Sequence, residues 1–201
     1  MGTDFNNPFK PGAGHMPPYL AGREEETNEF KQLLGQHVIL ENMILTGLRG
    51  VGKTVLLDAL KPIALESGWF WAGTDLSEST SITEETMALR LITDLSVITS
   101  SIVIKQEIKP PMGFVGANTT IRHSLNFSVL SNIYAKVPGL VVDKLKAVLE
   151  FVWSCIKDSK SAGIIFAYDE AQTLSDHADK EQYPISLLLD VFQSIQKKKK
   201  Y

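Results

Sequence analysis

Apolar positions along the chain fall into two periodicities, one helical and one strand-like. After Lys53, the residues Leu56, Leu57, Leu60, Ile63 and Ala64 recur three or four apart and predict a helix that Gly68 stops. Met87, Leu91, Leu95 and Ile98 do the same over 83–99, where Thr83 with Thr86 and the acidic pair Glu84 and Glu85 suit a helix start. Val141, Leu145, Val148, Leu149, Val152 and Ile156 define a strongly amphipathic helix, and Ile185, Leu188, Leu189, Phe192 and Ile195 a last one over 185–196. A shorter helix over 23–34 carries a narrow stripe of Phe30, Leu33 and Leu34.

Three short apolar runs read instead as strands. They are 42–46, a buried strand ending at Gly47; 69–72; and 163–168, a buried strand ending at Asp169. In 101–138, Ile102, Ile104 and Ile108 alternate with polar neighbours, as do Leu125, Phe127 and Val129. The break Pro110-Pro111-Met112-Gly113 between them predicts a hairpin-like insertion. Residues 1–22 read as an extended arm, because Pro8, Pro11, Pro17 and Pro18 block regular helix. The remainder, 23–201, reads as one domain, and no internal repeat is found. Strands alternating with helices imply right-handed crossovers, hence an α/β fold with a mainly parallel sheet covered on both faces. Ligands in such sheets bind at the carboxyl ends of strands.

Composition narrows the picture. A hydrophobic fraction of 44% and a charged fraction of 21% over 201 residues belong to an ordinary globular chain with room for one core. The net charge of −3 gives no global attraction to nucleic acid or an anionic membrane, so DNA as a partner is possible only through a local patch. Lys197–Lys200 is such a basic run, although cations at a helix C-terminus are favoured in any case. No stretch is long and apolar enough to span a bilayer and no signal peptide is evident, so a cytoplasmic protein is expected. Cys155 sits in an apolar helical pattern and reads as a buried thiol. His15, His37, His123 and His177 lack metal-ligand spacing, and Trp69, Trp71 and Trp153 read as core.

The chemistry lies at two strand ends. Gly47-Leu48-Arg49-Gly50-Val51-Gly52-Lys53-Thr54 fits the phosphate-loop pattern G-x-x-x-x-G-K-[ST] at every position. Glycines let the backbone wrap so that successive N–H groups can point at phosphate oxygens, and the following helix adds its positive dipole end. Lys53 would reach the β- and γ-phosphates, and the Thr54 hydroxyl would ligate Mg²⁺. A chance match arises in roughly one chain in a hundred of this length, at about 7% glycine. An apolar run before and an amphipathic helix after are the surroundings such a loop needs. The second element is the apolar run that ends in Asp169-Glu170. Asp169 is placed to hold a Mg²⁺ shell and Glu170 to orient and deprotonate an attacking water. Alone, that pattern also describes an ordinary strand exit.

The segment Asn7-Pro8-Phe9-Lys10-Pro11-Gly12-Ala13-Gly14, followed by Pro17-Pro18-Tyr19-Leu20-Ala21-Gly22-Arg23-Glu24-Glu25-Glu26, resembles the opening segment of AAA+ ATPases of the origin-recognition type. The phosphate loop and Asp169-Glu170-Ala171-Gln172 are similar to motifs of the same group, and the likeness spans most of the chain outside 101–138. It implies a three-layer P-loop NTPase fold of the AAA+/ASCE type, with ATP and Mg²⁺ as ligands. It also places Pro18, Tyr19, Leu20 and Arg23 near the adenine; alternatively these residues only anchor the arm to the core.

In that family a further strand lies between the phosphate-loop strand and the acidic strand. A sensor residue, an arginine finger and a helical lid come later still. The chain therefore reads as an N-terminal fragment with a gap at the sheet's centre, incomplete at the C-terminus and inclined to self-association. The resemblance implies an ATPase, binding ATP and ADP, whose nucleotide state drives a conformational or assembly switch. A nucleotide-regulated interaction or signalling module with little turnover is the alternative, and a small-molecule kinase sharing the loop a third reading.

Overall fold

A computed structural model describes residues 22–73, 75–76, 83–108, 119–157, 161–174 and 176–198, with the backbone alone for 104–108 and 119–123. Among the described residues, six α-helices and four strands run in the order α1 (Glu24–Leu34), α2 (Lys53–Glu66), β1 (Trp69–Ala72), α3 (Glu84–Thr99), β2 (Val103–Ile108), β3 (Thr119–Ser124), α4 (Phe127–Lys136), α5 (Val141–Ile156), β4 (Gly163–Phe166) and α6 (Pro184–Lys198). The fold is α/β. β1 and β4 pair in parallel, Trp69 opposite Gly163 through Ala72 opposite Phe166. A single parallel bridge between Asp75 and Asp169 carries the pairing past the strand ends.

Side-chain alternation on this small sheet divides the core in two. Ile164 and Phe166 turn to a large cluster built on Met87, Leu91, Leu95, Leu145, Val152 and Val191 from α3, α5 and α6, and Phe166 stacks on Phe192 at 5.0 Å. Ile165, Trp69 and Trp71 turn to the other face, against Phe30 of α1 and Leu56, Leu60 and Ala64 of α2. The sheet is thus covered by helices on both sides, as expected for parallel pairing. No described helix is long and apolar enough to cross a membrane.

The helix boundaries follow the capping chemistry. Thr83 accepts from the Thr86 N–H at 3.1 Å while its own N–H donates to Thr86 Oγ1 at 3.2 Å, a reciprocal box that starts α3. Gly68, at φ 81°, ends α2.

Three expectations are corrected. The run 42–46 is not a strand: 39–48 carries no regular structure, and Ile44 is 78% exposed. Met43 and Leu45 pack against the α1–α2 core, so the segment keeps an extended in-and-out alternation. Among the described residues it has no neighbour to take up its backbone groups, and without a ladder there is no strand. A groove of about 660 Å³ separates it from β4, with Trp153, Ile165 and Phe192 among its walls. The second correction concerns 101–138. β2 and β3 do form an antiparallel hairpin, Val103 opposite Ser124, but the alternation at Phe127 and Val129 belongs to helix α4, whose Leu130 is fully buried. Asn126 caps that helix through the Val129 N–H at 3.1 Å, a signal that outweighs a three-residue alternation. Third, Cys155 is only partly buried.

Candidate functional site

The loop 47–52 enters α2 through glycines in the left-handed half of conformational space. Gly50 and Gly52 both have φ 84°, and Gly47 has φ 147°. A β-carbon at Gly50 or Gly52 would meet no atom within 4 Å, so glycine is required there by the backbone turn and not by crowding. The Gly52 carbonyl accepts the first helical bond, from the Leu56 N–H at 2.9 Å, leaving the amides before it free of intrahelical partners. Leu48 at the tip is 81% exposed, and Arg49 is exposed beside it.

Lys53, the first residue of α2, curls back over this loop. Its Nζ donates to the Gly47 and Leu48 carbonyls, both at 2.9 Å. The ammonium is therefore held against the loop, its charge solvated by two carbonyl oxygens. Thr54, one residue on, donates its hydroxyl to Asp169 Oδ2 at 2.5 Å. That contact joins the two motifs across the sheet.

Asp169 is fixed on three sides. Its carbonyl accepts from the Leu76 N–H at 3.1 Å, its Oδ1 accepts from the Glu170 N–H at 2.8 Å, and its Oδ2 accepts from Thr54. Gly73 makes this close approach possible. At φ 131°, a β-carbon there would lie 1.9 Å from the Ala167 carbonyl oxygen. Just before Asp169, the Tyr168 hydroxyl is buried close to the Asp94 carboxylate; burial first, and that carboxylate second, drive its pKa upward.

Glu170 follows in a left-handed conformation, φ 54°, uncommon for a residue with a side chain. That turn follows the Asp75–Asp169 bridge beyond β4 and leaves the side chain exposed beside Asp169. Its carboxylate accepts a hydrogen bond from the Gln172 amide.

Arg23 is the one described member of the expected adenine set, and its guanidinium reaches the phosphate loop. Nη2 donates to the Val51 carbonyl at 2.6 Å and Nη1 pairs with Glu26 at 2.5 Å. The Glu26 carboxyl is held below its ordinary range by its own backbone N–H first and by Arg23 second. Pro18, Tyr19 and Leu20 lie outside the described residues.

The structure thus brings Lys53, Thr54, Asp169, Glu170 and the loop together, with Arg23 behind the loop. The sequence reading assigned no role to Gly73, Leu76 or Gln172. Gly73 carried a local signal, a glycine ending an apolar run, whereas backbone donation by Leu76 and the Gln172 amide had none.

Chemically, the arrangement offers free amides at a helix N-terminus, one ammonium, and two hard oxygen donors, the Thr54 hydroxyl and the Asp169 carboxylate. Hard oxygen donors suit Mg²⁺. Comparison of the chain with protein-family models, with curated proteins and with solved structures returned no match.

Proposed function

We propose that the chain binds ATP with Mg²⁺ through the loop Gly47–Thr54 in a P-loop NTPase fold of the AAA+ kind, and that ATP hydrolysis drives a conformational or assembly switch. The observation that carries this reading is the 2.5 Å contact between Thr54 and Asp169, which are 115 residues apart in the chain. A chance loop match has no reason to lie against an acidic strand end. Parallel pairing of β1 with β4, and a gap between β4 and the segment before the loop, also agree with the strand order this fold requires.

In this reading the loop amides and Lys53 bind the β- and γ-phosphates, Lys53 exchanging its two carbonyl acceptors for phosphate oxygens. Thr54 and Asp169 hold Mg²⁺, which when bound offsets the charge of the phosphate oxygens. Glu170 accepts the proton of the attacking water.

A second reading, a nucleotide-regulated module that retains ATP with little turnover, is favoured by the Gln172 amide engaging the Glu170 carboxylate. Measured turnover separates the two.

The test is ligand-induced thermal stabilisation. ATP with Mg²⁺ at a hundred times its dissociation constant raises stability by about 2.7 kcal/mol. In Lys53→Ala that shift largely disappears. A Lys53→Ala protein that kept the full shift would move the phosphate site elsewhere.

A further inference from the structure

The contact between Arg23 and the loop assigns a role that the sequence did not. Val51 lies between Gly50 and Gly52, both at φ 84°. Glycine adopts either sign of φ at little cost, so the peptide units on either side of Val51 can rotate cheaply. The Val51–Gly52 peptide is a planar trans unit: its C=O and its N–H point in opposite directions. Whatever holds the Val51 carbonyl therefore also aims the Gly52 N–H, one of the amides a phosphate would meet. A flip of this unit would turn a carbonyl oxygen toward the anion.

Arg23 supplies that hold. Its Nη2 donates to the Val51 carbonyl at 2.6 Å while Nη1 is tied to Glu26 at 2.5 Å, so two different nitrogens fix the plane of the guanidinium. Its backbone is anchored too: the Arg23 carbonyl accepts both the Thr27 N–H at 3.1 Å and the Thr27 hydroxyl at 2.7 Å. We infer that Arg23 is a positioning residue for the phosphate loop, locking the Val51–Gly52 peptide with its N–H turned to the bound phosphates, and that Glu26 orients it for that task. This rests on the phosphate-binding reading above. It differs from an adenine contact in one measurable respect: a brace on the loop acts on the triphosphate and is indifferent to the base.

The test measures dissociation constants of ATP, GTP and inorganic tripolyphosphate, each with Mg²⁺, for the unaltered chain and for Arg23→Ala, Arg23→Lys and Glu26→Gln. Arg23→Ala is expected to weaken ATP and tripolyphosphate by the same factor, about tenfold, the scale of one charge-assisted hydrogen bond, with the ATP to GTP ratio unchanged. Arg23→Lys should recover part of the loss, since an ammonium can reach one acceptor but cannot hold the planar fork. Glu26→Gln should show a smaller loss with the same pattern, in a chain that retains Arg23. Tripolyphosphate affinity unchanged in Arg23→Ala, or a shifted ATP to GTP ratio, overturns the positioning role alone. An unaltered chain that binds neither ATP nor tripolyphosphate overturns the phosphate-binding reading and this inference with it.

Discussion

At the scale of single residues, the site depends on groups whose partners are far away in the chain. Lys53 and Thr54 are neighbours on α2, yet one turns to loop carbonyls and the other to Asp169. Glu170 illustrates how backbone conformation directs a side chain. A chain that continued extended would send it to the opposite face from Asp169, whereas φ 54° turns the backbone just after the Asp75–Asp169 bridge. Its exchange for glutamine tests the base role: Glu170→Gln keeps size and hydrogen bonding but cannot take a proton. ATP binding is expected to persist while turnover falls by about 10²-fold or more. Normal steady-state phosphate release by that variant would assign water activation to another group. The phosphate-loop pattern and the acidic pair stand out from residue types alone, because glycine, lysine and a hydroxyl in that spacing suit a phosphate. Arg23's partner was not readable, since a hydrogen bond to a backbone carbonyl leaves no trace in residue identity.

At the scale of elements, the helices were legible and one strand was not. Each of α2, α3, α5 and α6 carries its own apolar stripe and local stop or start signal, so its formation is encoded within 14 to 16 residues. A strand depends on a neighbour that the local sequence does not name. Hence 69–72 and the first four residues of 163–168, which find each other, form β1 and β4, while 42–46, with comparable apolar content, stays irregular. The closeness of β1 to the turn after β4 makes Gly73 a sharp probe. Gly73→Ala places a methyl against the Ala167 backbone at an unfavourable φ, combining steric overlap with backbone strain. It is expected to destabilise the chain by about 3 kcal/mol or more and to loosen Asp169. Chemical denaturation reads the first effect and the Mg²⁺ dependence of ATP binding the second. A variant with unaltered stability would show that the approach of these two backbones is slack.

At the scale of the whole molecule, two cores share a two-stranded sheet whose outer β4 edge borders a groove. Ile44, 78% exposed, stands at that groove, and Leu189 on the α6 side is 43% exposed. An apolar recess beside a strand edge favours association between chains. Sedimentation velocity is expected to show self-association that grows with concentration and that Ile44→Asp reduces. Because Ile44 contributes little buried area, Ile44→Asp should change unfolding stability by no more than about 0.5 kcal/mol. A chain that sediments as a monomer at every concentration would separate the groove from any association.

Periodicity and capping residues determined the helices, and residue spacing determined which atoms could bind phosphate and metal, because both are short-range properties of the chain. The α4 helix shows the limit even there: a three-residue alternation competed with the Asn126 cap, and burial of Leu130 decided between them. Only the tertiary structure decided that Thr54 meets Asp169, that Arg23 braces Val51, and that 42–46 goes without a ladder. Those outcomes rest on contacts between segments many residues apart. The free energy of such contacts belongs to both partners at once and is written in neither segment alone.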